Sequence, residues 1–229
     1  MRVGVIDLGS NTARLVVLRS LPGFAYRLED EIRVVVRLRE GMTDSGLSEA
    51  AVGRAFSTLR LYKRFCDTSD VGLVLSTATS AVREAANGPA FVQRVSDEIG
   101  LELRVLDGEK EAEYGVMGAL NEVPLSDGVV LDIGGGSAQL SRVKAGRFHC
   151  GQALTLGALA LTERFVTSDP PGSGDVEAIA KEIRSQLKSV TWLKPSKKRP
   201  LVGLGGTLRN LAKIAARREG FPLSTLHGY

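Results

Sequence analysis

Short β-branched runs alternate along this chain with longer stretches of helical spacing. Residues 2–8 form the first run, ending Val5-Ile6-Asp7-Leu8. After the polar tip Gly9-Ser10-Asn11-Thr12 a second apolar run covers residues 13–18. Two strands joined at a hairpin have this pattern. Residues 24–38 predict a third strand, with Ile32, Val34, Val36 and Leu38 alternating with Arg33, Val35, Arg37 and Arg39, so that Arg37 and Arg39 share a face. Ser48 and Glu49 mark the start of a helix reaching about residue 66, on which Ala51, Val52, Ala55, Phe56, Leu59 and Tyr62 keep helical spacing. Residues 71–75 predict a buried strand, 81–84 a short helix, 89–100 a helix ended by its glycine, and 102–106 a strand. A helix from about residue 108 to 120 follows. Pro124 and the loss of periodicity over residues 121–127 place a domain boundary there, giving domains 1–121 and 122–229. The second half repeats the plan: a strand to Asp132, a glycine tip, strands 139–144 and 147–153, and helices 156–165 and 175–190. A last strand, 201–204, runs into Gly205-Gly206-Thr207 and a helix over 208–218.

The two hairpins look like one stretch written twice. Leu131-Asp132-Ile133-Gly134-Gly135-Gly136-Ser137 matches Ile6-Asp7-Leu8-Gly9-Ser10-Asn11-Thr12, with the two aspartates 125 positions apart. A repeat at half the chain length suggests two copies of one unit facing each other, not a solenoid. Glycines at Gly9, Gly134, Gly135 and Gly136 let the backbone take positive φ and approach a ligand, so that successive N–H groups point at an anion. Ser10, Asn11, Thr12 and Ser137 add side-chain donors. Asp7 and Asp132, each ending a strand, can hold Mg²⁺ or its water, because hard cations take oxygen ligands. Any tight hairpin uses similar residues; two copies, each preceded by Asp, make the case for phosphate. Gly205-Gly206-Thr207 forms a third anion-friendly turn at a helix N-terminus, or an ordinary glycine-rich connection. Arg83, after the strand and turn ending at Ser80, is a candidate phosphate fork or a surface arginine paired with a glutamate. Asp107, Glu109, Glu111 and Glu113 open a helix, where the dipole alone explains most of the acids; one of them can serve as a base if it faces a cleft.

Composition narrows the class. With 43% hydrophobic residues the chain is globular. It has no run of 18 apolar residues and no charged-then-apolar leader, so a soluble cytoplasmic protein with no membrane partner is expected. Cys66 and Cys150 lack metal-ligand spacing and read as idle thiols. The net charge of +4 conceals an asymmetry: residues 181–218 hold 11 Lys or Arg against one acid, a net +10, leaving −6 for the rest. That segment either attracts a polyanion or is a solvated helix face with a charged loop at 194–199. Nucleic acid is disfavoured, since no aromatics are interleaved with the basic residues.

These stretches together resemble the exopolyphosphatase and guanosine pentaphosphate phosphohydrolase (Ppx/GppA) family of the actin-like ATPase superfamily. The matching pieces are residues 7–12, Ala78-Thr79-Ser80-Ala81-Val82-Arg83-Glu84-Ala85, Gly108-Glu109-Lys110-Glu111-Ala112, residues 132–137, Gly205-Gly206-Thr207 and the closing Leu226-His227-Gly228-Tyr229. The resemblance implies an α/β fold of two RNase H-like domains, mixed sheets flanked by helices, with the active-site cleft between them. It implies glycine turns that grip phosphates and Mg²⁺, or another divalent cation, assisting hydrolysis of a terminal phosphoanhydride. Glu111 takes the position of the residue that orients or deprotonates the attacking water. Asp132 then helps hold metal or water, with Arg83 and Arg37 on phosphate oxygens. A homodimer is also implied.

Three departures from the family pattern stand out. Gln139 replaces the usual Glu two residues after the serine of the second tip; an amide still coordinates metal or positions water but takes no proton. Lys110 stands where many members carry an acid. The chain also ends at Tyr229 where members continue, either as a fragment or as a naturally short protein. The leading expectation is a phosphohydrolase acting on inorganic polyphosphate or on the 5′-phosphate of guanosine pentaphosphate. A binding module that senses phosphate or nucleotide with little hydrolysis is the second, favoured by Gln139. An actin-like ATPase or kinase is the third, and Glu111 and the Arg83 segment weigh against it.

Overall fold

The computed structural model describes residues 1–21, 25–194, 199–223 and 225–226. The strand start expected at Phe24, the middle of the basic 194–199 loop and the closing His227-Gly228-Tyr229 lie outside the described residues. The chain divides into two compact units, Met1–Asp107 and Gly108–Tyr229. The division falls one helix earlier than the expected boundary at 121/122, because the helix beginning at Gly108 buries Val116 and Ala119 against the sheet of the second unit.

The first unit runs β1 (Arg2–Leu8), β2 (Thr12–Leu21), β3 (Ala25–Val35), α1 (Glu49–Thr68), β4 (Leu73–Ala78), α2 (Ser80–Glu84), α3 (Gly88–Ile99) and β5 (Leu103–Val105). Its sheet has the order β3-β2-β1-β4-β5, antiparallel on the hairpin side and parallel from β1 to β5. Ser48 starts α1 by accepting the Ala51 N–H on its hydroxyl, satisfying one of the orphan donors of the first turn. α3 closes on Gly100 in the left-handed conformation. Helices α1 and α3 bury one sheet face, with Ile6, Leu15, Val17, Phe56, Leu59, Tyr62 and Val95 in its core. Tyr62 is fully buried, its hydroxyl donating to the Ala13 carbonyl at 2.9 Å, and burial pushes its pKa up to about 12.

Two expectations for this unit are corrected. β3 ends at Val35, and Arg37 sits in a turn with φ 44°, so Arg37 and Arg39 do not share a strand face. The alternation beyond Val35 comes from Val36 and Leu38 dropping into the core as irregular backbone. The strand expected to be buried over 71–75 is β4, and its Leu73 and Leu75 are 41% and 49% exposed. Helices cover only one face of this sheet among the described residues.

The second unit runs α4 (Gly108–Glu122), β6 (Asp127–Ile133), β7 (Ala138–Lys144), β8 (Arg147–Leu154), α5 (Ala158–Phe165), α6 (Ser173–Leu187), β9 (Leu201–Leu204) and α7 (Gly205–Arg218). Its sheet order is β8-β7-β6-β9, again antiparallel through the hairpins and parallel from β6 to β9. The repeat read from the hairpins therefore extends to the third and fourth strands. This sheet is covered on both faces, by α4 over Val130 and Val143 and by α5 and α6 over Ala138, Leu140, Leu154 and Leu156. Among the described residues no helix is long and apolar enough to cross a membrane.

Candidate phosphate site

In the second unit β6 and β7 pair Asp132 directly opposite Gln139 and Ile133 opposite Ala138, leaving residues 134–137 as the tip. The Gly134 N–H closes the tip on the Ser137 carbonyl at 3.0 Å. Its other carbonyls turn the opposite way, onto the start of α5. Ala158 N–H donates to Gly134 O (3.0 Å), Leu159 and Ala160 N–H to Gly135 O (2.9 and 3.1 Å), and Gly157 N–H to Gly136 O (3.3 Å). Helix α5 thus fills the orphan donors of its first turn with the tip's carbonyls. A peptide's N–H points opposite to its C=O, so the N–H groups of Gly135, Gly136 and Ser137 face away from α5. Three donors aimed outward from one short segment make an anion-binding concavity.

The first unit builds the same device from different residues. Gly9 N–H donates to Thr12 O at 3.1 Å, and Asp7 lies opposite Arg14 as Asp132 lies opposite Gln139. Here the clamp is an irregular segment: Val36 and Arg37 N–H donate to Asn11 O (3.0 and 2.9 Å), and Arg39 N–H to Ser10 O (3.1 Å). The N–H groups of Asn11 and Thr12 are turned outward by the same planarity. The Ser10 hydroxyl is buried against that of Ser80 at 2.8 Å. None of Gly9, Gly134, Gly135 and Gly136 adopts the expected positive φ; a Cβ on Gly9 or Gly134 would stand 3.0 or 3.3 Å from the carbonyl across the turn, so close approach is what selects glycine at those two.

The β9–α7 turn meets the end of β6. Gly205, at φ +85°, is one that no other residue suits: a Cβ there would lie 2.6 Å from Asp132 Oδ1 and 2.8 Å from Ile133 O. Gly206 and Thr207 continue into the first turn of α7. Burial pushes the Asp132 carboxyl up, and Arg209, one turn into α7, draws it part of the way back. Gln139 is buried at 5% exposure and donates its amide N–H to Ser137 Oγ at 2.8 Å. Glu111 is half-buried in the first turn of α4, while Lys110 pairs with Glu113 at 2.6 Å.

The remaining expected site residues lie in the first unit. Asp7 is exposed at the end of β1. Arg37 has an exposed side chain 3.7 Å from Glu40. Arg83 Nη1 donates to the Leu106 carbonyl at 2.7 Å, and Arg39 pairs with Glu84 at 2.7 Å. The second unit alone therefore brings together Asp132, Gln139, residues 134–137 and Gly205. Sequence reasoning missed the α5 clamp and Arg209. Gly157, lying just before the apolar run Ala158-Leu159-Ala160, was the available signal for the clamp, since a glycine there allows both an N-cap and close approach. Nothing in the spacing marks Arg209 apart from the other basic residues of α7.

A duplicated unit of hairpin, clamped tip and crossover, with mixed sheets flanked by helices, defines the actin-like ATPase fold. Residues 16–222 match the model of the Ppx/GppA phosphatase family, and the chain belongs to that family. It is 33% identical over 219 residues to exopolyphosphatase 1 of Mycobacterium leprae, covering 93% of this chain and 65% of that protein. It is 29% identical to exopolyphosphatase 2 of Mycobacterium tuberculosis, covering 99% of this chain and 74% of that one. Among solved structures, the Aquifex aeolicus PPX-GPPA enzyme superposes with a TM-score of 0.76 at 30% identity, over 95% of this chain and 72% of that one. An exopolyphosphatase from Cytophaga hutchinsonii gives 0.84 at 27% identity, over 97% and 72%. The chain thus spans somewhat under two thirds of the length of the first of these relatives.

Proposed function

We propose that this chain carries the phosphate-gripping machinery of an exopolyphosphatase, removing terminal phosphate from inorganic polyphosphate. The observation that supports it most is the pair of tips in which the carbonyls of residues 134–136 and of Ser10 and Asn11 are held by clamps, leaving the following N–H groups for an anion, one tip lying beside a partly desolvated carboxylate. Relatives named exopolyphosphatase supply the substrate class. The 5′-phosphate of guanosine pentaphosphate is a second substrate for the same chemistry, since both end in a phosphoanhydride.

In this reading the outward N–H groups of residues 135–137 and the Thr207 hydroxyl bind the oxygens of the terminal phosphate. Glu111 accepts the proton of a water as its oxygen attacks the terminal phosphorus. The bond to the bridging oxygen then breaks, and the shortened chain leaves with that oxygen. Phosphoryl transfer is chiefly positioning and charge neutralisation, so a rigid cradle supplies much of what is needed. The donors fit a hard cation: Asp132 Oδ and Gln139 Oε1 are oxygens on paired strand positions, with Asp7 in the equivalent place in the first unit. Among the described residues no cluster of three acids, histidines or cysteines forms, so water and phosphate would complete the shell. Bound there, Mg²⁺ would neutralise charge building on the phosphate oxygens. We place the protein in the cytoplasm on its composition.

Gln139 keeps a second reading open, a phosphate or nucleotide sensor with little turnover. Phosphate release with Mg²⁺ from long-chain polyphosphate, guanosine pentaphosphate and ATP, measured side by side, separates the two. Release abolished by Glu111→Ala, with binding of the substrate retained, is the expected outcome. Equal loss of binding and release would remove Glu111 from the base role, and binding without release in the parent chain would leave the sensor.

A further inference from the structure

Gln139 puts an amide where the family pattern has a carboxylate, and its surroundings say what the amide does there. Side chains two apart on a strand share a face, as do those directly opposite across an antiparallel pair. Ser137, Gln139 and Ser141 therefore form one row with Asp132, the partner of Gln139 on β6. This is the face on which α4 begins: the Ser141 hydroxyl donates to the carbonyl of Ala112, the residue after Glu111, at 3.4 Å. Ser137 and Gln139 are 4% and 5% exposed. The amide N–H of Gln139 on Ser137 Oγ, at 2.8 Å, is the one hydrogen bond of either side chain among the described residues.

A hydroxyl has one proton and two lone pairs. Ser137 accepts the amide on a lone pair, so its proton is unspent, on a residue whose backbone N–H already faces outward from the tip. A carboxylate at position 139 would do the reverse. It only accepts, so it would take the Ser137 proton and leave a lone pair toward an incoming anion. A buried donor without an acceptor is unfavourable, and a charged oxygen is the strongest acceptor it can meet. We propose that Gln139 is a positioning residue: it fixes the Ser137 hydroxyl as a donor to a phosphate oxygen, so that the tip grips phosphate whether or not a cation sits on Asp132. This role rests on residues 134–137 holding phosphate, as proposed above. The position that an acid would give to a cation instead prepares a donor for the anion.

The test is calorimetric titration of the intact chain with inorganic tripolyphosphate in EDTA, which reads binding without turnover, closed as a double-mutant cycle. Ser137→Ala is expected to weaken binding about tenfold or more, the worth of a hydrogen bond to a charged oxygen. Gln139→Glu weakens it through repulsion as well as through the hydroxyl, so the deciding figure is Ser137→Ala within Gln139→Glu. There it should cost under about twofold, because the carboxylate already holds the proton. Repulsion alone gives Ser137→Ala the same penalty in both backgrounds, and that result overturns the proposal. Where Gln139→Glu does not fold, Gln139→Met removes the amide donor without adding charge, and Ser137→Ala must again cost less than in the parent chain; an equal cost overturns the proposal. Binding that appears only with Mg²⁺ also removes this role and leaves the phosphate cradle standing. No binding up to about 1 mM with either EDTA or Mg²⁺ removes the cradle and the role together.

Discussion

The α5 clamp makes a sharp prediction at Gly157. A Cβ at that position would stand 2.5 Å from the carbonyl carbon of Gly135 and nearer still to its oxygen, all of it backbone that cannot rotate away. Carbon contacts settle near 3.5 Å, so in Gly157→Ala the tip or the helix start must retreat by about 1 Å. Overpacking of this kind costs roughly 1–3 kcal/mol of stability. A misplacement of about 1 Å in a positioning group costs on the order of 10²-fold in rate. Ala158→Pro tests the same contact from the helix side. Gly157 at φ −69° and ψ 153° already has the extended shape that a residue before proline needs. That variant removes the N–H to Gly134 O, 3.0 Å away, and drives the proline ring toward that oxygen, so it should slow phosphate release by at least as much as Gly157→Ala. The control is Gly118→Ala on α4, where a Cβ meets nothing within 4 Å; it should gain about 0.5–1 kcal/mol and leave the rate alone. Urea unfolding followed by initial-rate kinetics on polyphosphate reads all three. Gly157→Ala that folds cooperatively and keeps its rate within about twofold would refute the idea that carbonyl orientation shapes this cradle.

Asp132→Asn should flatten the pH dependence of stability. The folded carboxyl titrates above its ordinary value, so the native state holds the proton longer than the unfolded chain, and stability is lost as pH rises from the ordinary carboxylate value through the folded one. Urea midpoints that fall across that window in the parent and not in the variant are expected; Arg209→Gln should move the upper end of the window higher. Gln139→Glu places a buried carboxylate opposite Asp132, so it should lose roughly 1–3 kcal/mol at neutral pH. Mg²⁺ should restore that loss and reach half-saturation at lower concentration; a melting temperature indifferent to Mg²⁺ in both proteins would remove the cation from this position. Tyr62→Phe deletes a buried hydroxyl bonded to Ala13 O and should cost about 1–2 kcal/mol in urea unfolding.

Much of this fold was legible because its signals are local. The hairpin repeat, the Ser48 cap, the Gly100 stop and the β9–α7 junction each rest on neighbouring residues whose chemistry has few alternatives. Where the reading failed, a distant partner decided. Val36 and Leu38 kept the alternation of a strand because the core needed two apolar side chains there, while the backbone between them had turned to clamp Asn11. Residues 108–122 looked like the end of the first domain because no pattern within a helix says which sheet it will cover. The site divides in the same way. Asp132, Gln139 and the glycines were visible as a motif, whereas Gly157 acts from outside the motif, across a hydrogen-bonded layer.

That layer changes what the helix contributes. α5 does not present its N-terminal N–H groups to a ligand, since the tip's carbonyls already hold them. Each tip peptide instead continues the helix's line of aligned dipoles by one more unit, its carbonyl polarised by α5 and its own N–H made a stronger donor on the far side. An anion resting on residues 135–137 would feel the positive end of α5 through an intervening peptide, as a current is felt through one more cell in series. The N–H groups that hold the Ser10 and Asn11 carbonyls come from the irregular segment 36–39 and not from a helix start, so the two tips, alike in shape, are unequal in field.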